Sequence, residues 1–191
     1  MTSNTFIHRL MHLLVILIAA ISTNVSATTV LPLSLQQLSD RAELIFYGSV
    51  LENEVIRDGN NSRIATLTRF QVHDLIKGQA ADTHTIKQIG GEIAGGRTLR
   101  IHGVPRYEVG ESYVIFLPRP SSLGFSSPVG LQQGNFTVTE TDGVKSVSNG
   151  ARLMGYTGAK AARAPLALQA DDPTRAKLDD FINSVRAYSQ D

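Results

Sequence analysis

The residues best spaced for chemistry lie between Gly90 and Glu111. Gly91-Glu92-Ile93-Ala94-Gly95-Gly96-Arg97-Thr98 has the G-x-x-x-x-G-x-[ST] spacing of a phosphate-binding loop. The position that needs a lysine holds Arg97. A guanidinium is a planar fork, a poor replacement for the compact ammonium that reaches into such a cradle. The residues that follow, RTLRI, read as a strand, whereas a phosphate loop opens a helix. Nucleotide binding is therefore not expected. The glycines have an architectural reading instead. Gly90-Gly91 and Gly95-Gly96 supply positive φ at the ends of a short link, making a hairpin of its flanks. Pro105 keeps Val104 extended, and Gly110-Glu111 turns the chain. Glu92, Arg97, Arg100, His102 and Arg106 then line one polar rim and are the candidate binding residues.

Other constellations are thinner. The chain has no G-x-S-x-G elbow and no S-x-x-K. His73, His84 and His102 fall on separate expected strands. They could face one metal only if those strands were neighbours, and no H-E-x-x-H or close pair supports it. Glu52/Glu54 and Asp179/Asp180 read as solvated faces of a strand and a helix, without the paired geometry of a glycosidase. Tyr47, Tyr107, Tyr113 and Phe125 suit core packing better than a platform. No residue pattern asks for a cofactor or a metal, and none assigns a catalytic role.

Composition narrows the setting. In MTSNTFIHRLMHLLVILIAAISTNVSA, Arg9 precedes an apolar run from Leu10 to Ile21, and Val25-Ser26-Ala27 closes it. That is the layout of a signal peptide, too short to span a hydrocarbon core of about 30 Å. Cleavage is expected after Ala27, leaving no stable membrane anchor. The product is expected to be periplasmic or secreted. The chain has no cysteine, which rules out thiol catalysis, a disulfide framework and lipoprotein anchoring. Of 18 Lys and Arg, only Arg9 lies in residues 1–27, so the rest balances its 17 acids. That balance gives no electrostatic case for nucleic acid.

The remainder must position the rim. Leu33–Ala42 reads as a short amphipathic helix capped by Ser34. Residues 44–56 and 63–76 read as a strand hairpin across the turn cluster RDGNNS. Further strands are expected at 83–91, with Ile86 and Ile89 inward, and at 97–103, with Leu99 and Ile101 alternating against Arg100 and His102. Tyr113–Leu117 is continuously apolar and so buried on both faces. Residues 129–141 and 144–148 form a hairpin through Asp142-Gly143. Residues 151–170 read as a linker. Residues 171–191 read as a helix with Asp172 as N-cap, Pro173 at its first position, and Leu178, Phe181, Ile182 and Val185 on one face. The fold expected is mainly β: a small antiparallel barrel spanning 28–150, with a helix at each end.

The order AELIFYGSV, TLTRFQVHDLIKG, IKQIGGEIAGG, GVPRYEVGESYVIFL, VGLQQGNFTV resembles a domain of unassigned function in exported bacterial proteins. The resemblance spans Leu33 to Val138. It rests on a lysine-glycine corner, a Gly-Gly strand and a G-x-P-x-[FY]-x-x-G-E loop. More distantly, the layout is similar to the netrin/tissue-inhibitor module, an oligomer-binding-type barrel. That module's cysteines, including the inhibitory N-terminal one, are missing here, so protease inhibition does not follow. The nearer resemblance implies export and a β fold, and it transfers no catalytic residue. The function expected is a non-enzymatic exported module that binds a protein or envelope component. The alternatives are a hydrolase with dispersed residues and a protein that binds metal through its histidines.

Overall fold

The computed structural model describes residues 32–59, 63–93, 95–150, 168–169 and 172–189. The expected signal segment, and residues 151–167 and 170 of the expected linker, lie outside them; Leu168–Gln169 of that linker form a short strand.

Helix α1, Leu35–Arg41, starts where the sequence places its cap. Ser34 Oγ accepts the Gln37 N–H, and the Gln37 side chain accepts the Ser34 N–H, so two otherwise unpaired donors are satisfied reciprocally. Strands β1 (Leu44–Asp58) and β2 (Arg63–Lys77) form the long hairpin. Then come β3 (Thr83–Ile89), β4 (Gly91–Ile93), β5 (Arg97–Leu99), β6 (Ser112–Leu117), β7 (Asn135–Thr141) and β8 (Val144–Ser148). The described chain ends with β9 (Leu168–Gln169), β10 (Asp172–Lys177) and helix α2 (Leu178–Ser189).

Eight strands form one antiparallel sheet in the order β3-β2-β1-β6-β7-β8-β10-β9, while β4 and β5 pair separately. The protein is thus mainly β, but the sheet is open and is not the barrel expected from sequence. Among the described residues no pairing joins β3 to β9. Two local features explain this. After Ile89 the chain leaves the sheet to make the β4–β5 hairpin. The second edge of β7 is taken by β8, its partner across the Asp142-Gly143 turn, where both residues have positive φ.

The apolar strand β6 divides the core. Val114 and Phe116 face the helices, where Phe116, Phe136 and Phe181 pack with ring centroids 4.7–6.3 Å apart beside Leu38 and Val185. Tyr113, Ile115 and Leu117 face the other side, with Phe46, Phe70 and Ile86. Fully burying a side chain of this size stabilises by about 1.5–3 kcal/mol, so both faces contribute to the fold. The lysine-glycine corner ends β2 for a steric reason. Gly78 has φ 82°, and a Cβ there would collide with the Glu43 carbonyl oxygen.

Three expectations are corrected. Residues 172–177 form β10 rather than the first turns of a helix. Ala176 is fully buried there, opposite Val147, and Pro173 sits near the strand start, where its missing N–H is tolerated. The helix begins at Leu178, with Asp179 and Asp180 favourably placed in its first turn. On β3, Ile86 and Gln88 are the inward pair, and Ile89 is half-exposed. The strand expected over 97–103 ends at Leu99, so Arg100 to Gly103 are loop. No helix among the described residues is long and apolar enough to cross a membrane.

Candidate functional site

The segment from Leu99 to Glu111 crosses the far ends of β1–β3 as a rim loop. Gly110 N–H donates to the Val50 carbonyl, and Val50 N–H donates to the Glu111 carbonyl, both at 2.9 Å. Tyr107 is the loop's buried anchor. Its ring meets Phe70 edge-on at 4.9 Å and Tyr113 at 5.1 Å. Asn53 Nδ2 donates to the Tyr107 carbonyl at 2.7 Å. The loop therefore docks through one aromatic side chain and a few backbone hydrogen bonds.

Between this loop and the sheet lies a cleft of about 650 Å3, within the range of about 300–1,000 Å3 common for ligand sites. Register builds its floor. Asn53 lies opposite Thr68, and Thr66 is flanked by Val55 and Gln88, so these side chains share a face. Gly91 closes one end. It has φ 141°, and a Cβ there would lie 2.7 Å from Thr66 Oγ1 and 2.8 Å from Val55 Cγ1. Gly90, Gly95 and Gly96 also have positive φ, as their turn reading requires.

The hydroxyls of the floor are occupied. Thr68 Oγ1 donates to Asn53 Oδ1 at 2.7 Å, and Thr66 Oγ1 donates to the Gly90 carbonyl at 2.8 Å. Two other groups are not. Gln88 Nε2 and the Tyr107 hydroxyl are buried with no hydrogen-bond partner. Their residues are only 4% and 5% exposed. Leaving such a group unpaired costs about 1–3 kcal/mol; both residues line the cleft, while the unpaired atoms themselves have almost no exposed surface. Burial, reinforced by Tyr113, pushes the Tyr107 phenol far above its ordinary pKa, so it stays protonated.

Four of the five rim residues expected from sequence line this cleft: Glu92, Arg100, His102 and Arg106, all solvent-exposed. Arg97 opens β5 opposite Ile93, and its side chain lies outside what the structure describes. The floor residues Asn53, Thr66, Thr68 and Gln88, and the anchor Tyr107, were not among the expected site residues. One signal for Gln88 stands in THTIKQI, where it falls two residues after the inward Ile86 and therefore on the buried face.

The three histidines do not converge. His73 tilts against Tyr47 on the helix-covered face, with Nε2 2.9 Å from Ser49 Oγ. His84 meets Phe46 edge-on on the opposite face, and burial lowers its pKa. A sheet separates them, so they cannot share an ion. Among the described residues no cluster of three or more potential metal ligands forms. Compared with known proteins, the chain matches no family model and no curated sequence.

Proposed function

We propose that the chain is an exported, non-enzymatic binding module, and that the cleft beneath the rim loop receives part of a protein or envelope component. The observation that carries this reading is the cleft itself, about 650 Å3 under the rim loop, with Glu92, Arg100, His102 and Arg106 exposed along it. The threonine hydroxyls of the floor donate to protein acceptors, so neither stands beside a base as a nucleophile would. Export rests on the signal-like N-terminus and on the resemblance of Leu33–Val138 to an exported bacterial domain.

A photo-crosslinking residue at Ile101, on the cleft wall, tests the reading in the producing cell. The control position is Val144, exposed on β8. One defined adduct is expected from position 101 and none from 144. Equal labelling from both positions, or turnover in a hydrolase panel that disappears in His102→Ala, would contradict it.

A further inference from the structure

Beside the cleft, the distal half of β1 presents a sheet edge that no strand covers among the described residues. The position next to β1 is taken by β6 only from Leu44 to Ser49, and by Gly110 and Glu111 at Val50. The direction of the backbone groups beyond that point follows from β2 and β3. Gly90 N–H donates to the Ile64 carbonyl, so Ile64 turns its backbone groups outward from β1. By alternation Ala65, Leu67 and Arg69 turn theirs toward β1, where they meet Ile56, Glu54 and Glu52. Asn53, Val55 and Arg57 are therefore left with N–H and C=O groups pointing away from β2. All three residues are solvent-exposed, and none of these backbone groups has a partner among the described residues. The outer edge of β3 is treated differently: Phe125 bridges to Lys87, and Ser126 N–H donates to the Lys87 carbonyl. An uncovered edge is a template for pairing with another strand.

The side chains of this edge fit a copy of itself. In an antiparallel pair related by a two-fold axis, opposed residues lie on one side of the sheet, so the pairing is centred on a single residue. Like charges directly opposite are destabilising. Centring on Glu54 or on Arg57 sets that residue against itself. Centring on Asn53 sets Glu52 against Glu54, and centring on Ile56 sets Glu54 against Asp58. Neither Glu54 nor Arg57 has an ion pair among the described residues to offset this. Centring on Val55 avoids all four clashes. Val55, 37% exposed, then meets Val55, while Asn53 meets Arg57 and Glu54 meets Ile56. The one acidic pair left, Glu52 with Asp58, is neutralised in place, by Arg69 at 2.9 Å and by Lys87 at 2.7 Å. In this register every open N–H and C=O of Asn53, Val55 and Arg57 finds its counterpart.

Beyond the binding reading, which it does not need, we infer that the chain forms a two-fold dimer through β1, with Val55 against Val55 of the second copy. The two eight-stranded sheets become one. The axis stands perpendicular to that sheet, so both clefts open on the same face. Each copy uses its edge once, and the assembly closes at two.

The test uses the protein as purified from the producing cell. Sedimentation velocity from about 1 to 300 µM should show a monomer–dimer equilibrium and no larger species. The chain has no cysteine, so Val55→Cys introduces a single thiol. Mild oxidation should link its copies as disulfide dimers, and Val144→Cys, exposed on β8, should give none. Val55→Pro and Arg57→Pro each remove an N–H that bonds nothing in the single chain, so a strand edge should tolerate both. Each should weaken dimerisation about tenfold or more, with the circular dichroism spectrum unchanged. A monomer at every concentration, growth beyond the dimer, a dimer of unchanged strength in both proline variants, or equal crosslinking at positions 55 and 144 overturns the inference. Should Val55→Pro unfold, Arg57→Pro and the two cysteine variants still decide it.

Discussion

Asn53 and Tyr107 stand 54 residues apart and meet through a 2.7 Å hydrogen bond from Asn53 Nδ2 to the Tyr107 carbonyl. Thr68 completes the chain by donating to Asn53 Oδ1. One amide on β1 thus ties the rim loop to the sheet. Asn53→Ala should destabilise the fold by about 0.5–1.5 kcal/mol, the usual net worth of such a bond. Urea denaturation measures that loss. Hydrogen exchange should show faster opening at 99–110, with α2 unaffected. Unchanged exchange in the loop would show that the aromatic contacts of Tyr107 and the backbone bonds to Val50 hold it without that amide.

Gly91 and Arg100 line the same cleft for different reasons. Gly91→Ala places a Cβ in tight contact with Thr66 and Val55 at a φ unsuited to L-residues. It should cost about 1 kcal/mol or more. Arg100→Ala removes an exposed side chain that makes no ion pair among the described residues and should stay within about 0.5 kcal/mol. Calorimetry on the two variants checks the ranking, and a reversal would mean Arg100 has a structural role.

His84 carries a pH dependence whose sign follows from its burial. Its folded pKa lies below the ordinary value of 6.5, because burial disfavours the imidazolium. The unfolded chain therefore takes up a proton first as pH falls. Stability should decline from about pH 7 downward through 6.5, until the folded His84 also titrates. The slope is at most about 1.4 kcal/mol per pH unit. His84→Leu should flatten that part of the curve measured by urea titration between pH 7.5 and 5.5. An unchanged slope would assign the effect to another group.

Arg186 of α2 reaches Asp74 of β2 and pins the helix to the sheet. Both side chains are partly exposed, at 39% and 30%, so solvent screens the pair. Arg186→Ala should cost no more than about 1 kcal/mol, and the loss should shrink as salt is raised. Stability at low and high ionic strength measures both effects.

Much of the fold was legible because local chemistry and the fold agree. The Ser34 cap, the Asp142-Gly143 turn and the uninterrupted apolar run of β6 each stand where their residue types place them. The spacing of Leu178, Phe181, Ile182 and Val185 was also right. Asp172-Pro173 misplaced the helix start, because a fixed φ suits a strand end as well as a first helical turn. The open sheet was not legible, since which strand takes the second edge of β7 depends on long-range pairing. The candidate site divides the same way. Its charged rim showed as a turn-rich polar loop. The floor formed by Asn53, Thr68 and Gln88 exists only once β1, β2 and β3 stand in register.

The cleft under the rim loop is proposed as the binding surface. Hydrogen exchange on the purified chain, alone and with the partner captured by crosslinking, tests it most directly. Binding should slow exchange at amides of residues 88–93 and 99–108 and leave α1 and α2 unchanged. Protection confined to the helices or to β8 and β10, with the rim loop exchanging as before, would contradict it.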